Sequence, residues 1–161
     1  MLLDALELGR YHATGAYHPV GGPNTGLPLE WDGTLAREGR HLILRGEYRH
    51  HVGAPGHPFA LSIELPPGIL ERSTFELQCP HLSNASGAVR ALGGGIVFGG
   101  RDAQSGASIS LNVEVLKPGV LDGKGTVVFS DGSVWLYHFE MLPADSRLSK
   151  AEVVGIHARQ R

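Results

Sequence analysis

Ser108-Ile109-Ser110-Leu111-Asn112-Val113-Glu114-Val115, or SISLNVEV, is the stretch that decides the fold. Its odd positions are all apolar and its even positions all polar. Side chains of a strand alternate between two faces, whereas a helix repeats its apolar residues three and four apart, so this is a strand with one buried and one wet face. The same parity runs through the chain. Leu29, Trp31 and Leu35 oppose Glu30, Asp32 and Thr34; Leu42, Leu44, Gly46 and Tyr48 oppose Arg45, Glu47 and Arg49. Phe59, Leu61, Ile63 and Leu65 oppose Ser62 and Glu64, and Phe75, Leu77 and Cys79 oppose Thr74, Glu76 and Gln78. Less regular runs near 10–17, 88–99, 123–130, 133–141 and 150–159 bring the expectation to about ten strands.

The 23 glycines and 10 prolines fall between these runs rather than in one linker, which is the punctuation of an all-β chain. Asp131-Gly132 reads as a two-residue hairpin turn, because Asp-Gly reaches positive φ at low cost. Consecutive hairpins with one apolar face each either close into an up-and-down antiparallel β-barrel or stack as a β-sandwich. Long strands and short links favour the barrel, with Gly93-Gly94-Gly95 and Gly99-Gly100 read as bends within a coiled strand. A sandwich needs longer crossings, for which only 18–26, 80–87 and 142–149 are long enough. With 161 residues and no break in composition, one domain over 1–161 is expected, with a short helix at 1–9.

Lys+Arg 14 against Asp+Glu 16 leaves a net charge of −2 with no basic stripe, which argues against nucleic acid or an anionic membrane as partner. The N-terminal MLLDALELGR interrupts its apolar residues with Asp4 and Glu7 and lacks a basic leader region, so it reads as neither signal peptide nor membrane span. Together with the lone Cys79, which cannot close an internal disulfide, this makes the cytosol the expected compartment.

The chemical candidates centre on Tyr48-Arg49-His50-His51-Val52-Gly53-Ala54-Pro55-Gly56-His57-Pro58-Phe59. Adjacent His50 and His51 point to opposite faces, so parity leaves His50 and His57 inward and His51 outward. With the loop at Gly53 to Gly56, His50 faces Phe59 and lies diagonal to His57. A metal would then need a third ligand, for which His138 is the candidate. No His-x-His or helical His-x-x-x-His spacing supports a metal, and none is expected. His12, His18, His41 and His51 read as surface or loop residues, and Asp102, Asp122 and Asp131 as turn residues. No Gly-x-Ser-x-Gly elbow or phosphate-binding glycine loop is present. Val134–Met141 is apolar on both faces, with Trp135, Tyr137, Phe139 and Met141 in one row and Val134, Leu136, His138 and Glu140 in the other. Either the aromatic row lines the interior or the strand around Trp135 forms a homodimer contact.

Gly9-Arg10-Tyr11-His12-Ala13-Thr14-Gly15 resembles the glycine-x-aromatic entry into the first strand of calycin-type barrels, the lipocalins, fatty-acid-binding proteins and nitrobindins. Arg159 is similar to the arginine that packs on that aromatic in lipocalins. The resemblance implies an enclosed apolar pocket and, on the nitrobindin side, haem held by a late histidine, for which His157 is the candidate. Gly125-Thr126-Val127-Val128-Phe129, leading into Asp131-Gly132-Ser133, is similar to hairpins of allene-oxide-cyclase-like barrels, some of which catalyse cyclisations. The expectation is therefore a binder of a small apolar molecule. Trp31, Tyr48, His50, His57, Phe59, Phe75, Trp135 and Tyr137 are its candidate contacts. The alternatives are a cyclase or isomerase using His50 or Tyr48 as acid or base, a haem protein, and a structural barrel with no cavity.

Overall fold

The computed structural model describes residues 6–22, 26–51, 53–65, 73–80 and 82–144. Ten strands follow in order: β1 (Gly9–Pro19), β2 (Leu27–Glu38), β3 (His41–Arg49), β4 (His57–Glu64), β5 (Ser73–Cys79), β6 (Leu82–Leu92), β7 (Gly95–Asp102), β8 (Ser108–Lys117), β9 (Val120–Val128) and β10 (Val134–Pro143). Each pairs antiparallel with its neighbours in sequence, and β1 pairs with β10, so the sheet closes as an up-and-down barrel. Closure overturns the sandwich, and part of one stretch that could have crossed between sheets, 82–87, is strand β6. No helix long and apolar enough to cross a membrane occurs among the described residues.

Parity holds around the ring. Trp31 faces Tyr48, Tyr48 faces His57, Leu61 faces Leu77, and Leu111 faces Gly125, so the rows read as inward all share the lumen. The two-sided strand is resolved the same way. Tyr17 pairs with Tyr137 and Gly15 with Phe139, which turns the aromatic row of β10 inward and leaves Leu136 outside, 44% exposed.

Three local readings change, and a fourth falls outside the described residues. The run 88–99 is two strands, because Gly93, at φ 58°, turns the chain between β6 and β7 instead of bending one strand. The run at 150–159 lies outside the described residues. The Asp131-Gly132 hairpin does join β9 to β10, but as a type I turn over Ser130-Asp131 followed by Gly132 at φ 86°. Asp131 stabilises it by accepting from the Ser133 N–H at 2.8 Å and hydroxyl at 2.6 Å. Of the helix read over 1–9, residues 1–5 lie outside the described residues, Leu6–Leu8 is not helical, and Gly9 opens β1.

Closing ten tilted strands around bulky rings requires places where a side chain is missing. Gly15, Phe139 and Gly123 are direct partners on β1, β10 and β9, and a Cβ on Gly123 would collide with the Phe139 ring. Phe75 on β5 has Gly87 as its partner on β6, and its ring lies against Gly100 on β7. Large rings thus alternate with glycines around the inner wall.

Candidate ligand-binding site

The two ends of the interior differ. Where β1, β3 and β9 begin, Tyr11, Leu42, Ile63, Val89, Ile96 and Leu121 are buried in one apolar cluster, with Leu6 packed against it. The Tyr11 hydroxyl donates to the Glu7 carbonyl at 2.5 Å, and burial raises its pKa. This end is packed.

At the other end the interior is divided: towards β6, β8 and β9, Ala85, Ala107, Ile109 and Val127 are buried in a second apolar cluster with Tyr137 packed against it, while on β10, β1, β3 and β4 the inward side chains are aromatic or polar-tipped and only half-buried. Tyr17 is the centre of the cluster, with ring centroids 5.4 Å from His50, 5.1 Å from Trp135 and 6.0 Å from Tyr137. Tyr48 lies 5.8 Å from His50 and 5.3 Å from His57, and the two imidazoles are 6.0 Å apart. One layer deeper, Trp31 meets the edges of Phe59 and Phe139 at 5.4 and 6.4 Å. Desolvation pushes Tyr48 up to about 12, with Cys79, Tyr137 and Tyr17 adding to the effect. Tyr137 is likewise pushed up to about 12, by desolvation first and then by Cys79 and Tyr17. The phenols therefore stay protonated and neutral well above neutral pH. Such groups can hold an apolar body by ring contact and orient its polar end by hydrogen bonds.

Six of the eight contacts expected from the sequence are half-buried at this end. Trp31, 9% exposed, and Phe75, 2% exposed, belong to the packed cluster, where Phe75 meets Phe98 edge-on at 5.5 Å. The expected register also changes. The loop between β3 and β4 spans 50–56, held by a bond from Ala54 N–H to the His51 carbonyl and by Gly53 at φ 85°. Tyr48 is consequently the partner of His57, and Phe59 faces Gly46 rather than His50. Tyr17 and Cys79 were not expected at the site. Tyr17 shares the odd parity of Tyr11 and Ala13, but Gly15 and Ala16 blur the alternation ahead of it.

The third ligand proposed for the histidine pair is on the wrong face. His138 points outward, its Nε2 2.8 Å from an Asp122 oxygen. Asp122 is not in a turn: it sits within β9, 3% exposed on the outer surface, with Lys124 at 3.5 Å. Asp122, His138 and Glu140 offer ligand atoms within 4.8 Å of one another, the one such group among the described residues that could hold a metal ion. His157, the haem candidate, lies outside the described residues.

Asp102 closes β7 at the aromatic end. Its Oδ2 accepts from the Ser105 hydroxyl at 2.5 Å and N–H at 3.1 Å, and its Oδ1 from the Asn84 N–H at 3.2 Å. The Ser105 hydroxyl first, and then these backbone bonds, hold the carboxyl below the usual range against the opposing pull of burial. A depressed carboxylate contributes stability that is complete above its unfolded value of about 4 and is lost as pH falls through the lower folded value. Asp102→Asn is expected to lower the urea midpoint at neutral pH and to flatten its decline on acidification. An unchanged acid slope would mean that Asp102 is not what the loop titrates through.

No family model matches the chain, and no curated protein matches it; what the structure shows is a closed ten-stranded antiparallel barrel.

Proposed function

We propose that the barrel binds a small, largely apolar molecule between the rings of Tyr17, Trp31, Tyr48, Phe59, Trp135 and Tyr137, with His50 and His57 at the entrance. The supporting observation is the asymmetry of the interior: one end is packed, and at the other a buried cluster around Ile109 and Val127 leaves the inward rings of Tyr17, Tyr48, Phe59, Trp135 and Tyr137 only half-buried. The calycin-like reading belongs with this proposal, since binding in the lumen is what that resemblance implies.

The test is direct. Mass spectrometry of a denatured extract is expected to find a co-purified small molecule, and the emptied protein to bind the neutral apolar dye N-phenyl-1-naphthylamine with enhanced fluorescence. Trp135→Ala, which removes one wall of the ring cluster, is expected to weaken the dye by about tenfold or more. A protein that carries no ligand and takes up no apolar dye would instead be a structural barrel.

The enzymatic alternative would give Tyr48 or His50 the proton-transfer role. A phenol held near 12 favours Tyr48 as a hydrogen-bond donor over a base at neutral pH.

A further inference from the structure

We infer that the ligand is a planar aromatic acid, its anionic oxygen seated against Tyr48, His50 and His57 and its flat body against Tyr17, Trp135 and Tyr137. This rests on the binding proposal and narrows it to a ligand class.

The first argument is the sign of the polar groups. Among the described residues, the titratable groups that face the lumen at the aromatic end are Tyr17 from β1, Tyr48 from β3, His50 from the loop after it, His57 from β4, Cys79 from β5, Asp102 from β7 and Tyr137 from β10. The described inward residues of β2, β6, β8 and β9 at this end carry no titratable side chain. Glu30, Asp32, Glu47 and Arg49 belong to the outward rows of β2 and β3, and His51 is exposed in the loop. Asp131, in the loop at the same end, accepts from Ser133.

Asp102 is the one carboxylate in this inward set, and Asn84 and Ser105 engage both of its oxygens. A cationic ligand would meet no other negative side chain there among the described residues. The phenols can donate as well as accept and a protonated imidazole only donates, so a head group that accepts can be met by all of them. Among the described residues no lysine or arginine faces the lumen at this end, so there the groups that can compensate an anion are the imidazoles. Imidazole is the side chain that gains charge between about pH 8 and 5. Retention of an acid should therefore strengthen as pH falls.

The second argument is ring geometry. Tyr17 stacks on Tyr137 within 19° of parallel and tilts 33° from Trp135, so the three rings form one contiguous aromatic patch against which a planar body can pack.

Two probes of matched shape test this, 2-naphthoic acid and 2-naphthalenemethanol, titrated into the full chain by calorimetry at about pH 5.5 and about pH 8. The acid is expected to bind about tenfold tighter at the lower pH, and the alcohol equally at both. In His50→Gln/His57→Gln the acid-to-alcohol affinity ratio at the lower pH is expected to fall to about one, with His57→Gln alone giving part of that loss. Equal affinities without pH response, or an acid preference that survives both substitutions, would overturn the ligand class while leaving lumen binding intact. If neither probe binds at either pH, the binding proposal falls and the ligand class with it.

Discussion

Phe75→Ala is expected to destabilise the barrel by about 3–5 kcal/mol, the range for deleting a buried aromatic ring from a core that cannot collapse. Phe75 is 2% exposed, stacked edge-on against Phe98, and flanked across the strands by Ile63 and Gly87. On the glycine side the wall is backbone, held in place by strand pairing, and backbone cannot move in to fill a hole as a flexible side chain would. For a chain of this size the unfolding midpoint should drop by roughly 10 °C, at about 2–4 °C per kcal/mol. Urea titration should show a lower midpoint at unchanged slope. The informative comparison is Phe59→Ala. Phe59 faces inward too, but it is half-buried beside Trp31 at the aromatic end, and its loss should cost clearly less. Equal costs would mean that the two ends are packed alike, and the proposal of a ligand-holding lumen would lose its main support.

The faces of this barrel are legible in the sequence, and the distances along it much less so. Parity needs only residue number, and so Trp31, Tyr48 and Phe59 are assigned to the lumen by the same rule that assigns Val113. Register depends on loop length, which is set by local turns that alternation does not encode. Four residues separate the loop read at Gly53–Gly56 from one spanning 50–56 in its effect on pairing, and the shift brings Tyr48 rather than Phe59 to the histidine pair. Asp122 shows a second limit. Asp122-Gly123 looks like a turn dipeptide, but the glycine is there because the Phe139 ring needs its space, and the aspartate sits in mid-strand against His138. A dipeptide cannot reveal that its glycine serves a residue on another strand.

Strand glycines therefore carry two meanings, and a pair of substitutions separates them. Gly46→Ala is expected to destabilise by on the order of 3 kcal/mol or more, whereas Gly99→Ala should change stability by no more than about 0.5 kcal/mol. Both residues lie inside strands, and neither needs a left-handed backbone. A Cβ on Gly46 would collide with the Asp32 carbonyl oxygen and crowd the Gly33 backbone, while one on Gly99 would meet nothing within 4 Å. The obstruction at Gly46 is backbone, so relief requires β2 and β3 to move apart where Gly33 and Gly46 are partners. That movement reaches the candidate site. Gly46 faces Phe59 on β4 and lies two residues before Tyr48, so parting the strands displaces a ring of the deeper layer and the phenol beside both histidines. Gly46→Ala should accordingly weaken dye binding at temperatures where the variant is still folded, and Gly99→Ala should leave it unchanged. A Gly46→Ala protein as stable as the parent would show that β2 and β3 do not approach so closely, and that the barrel closes without this glycine pair.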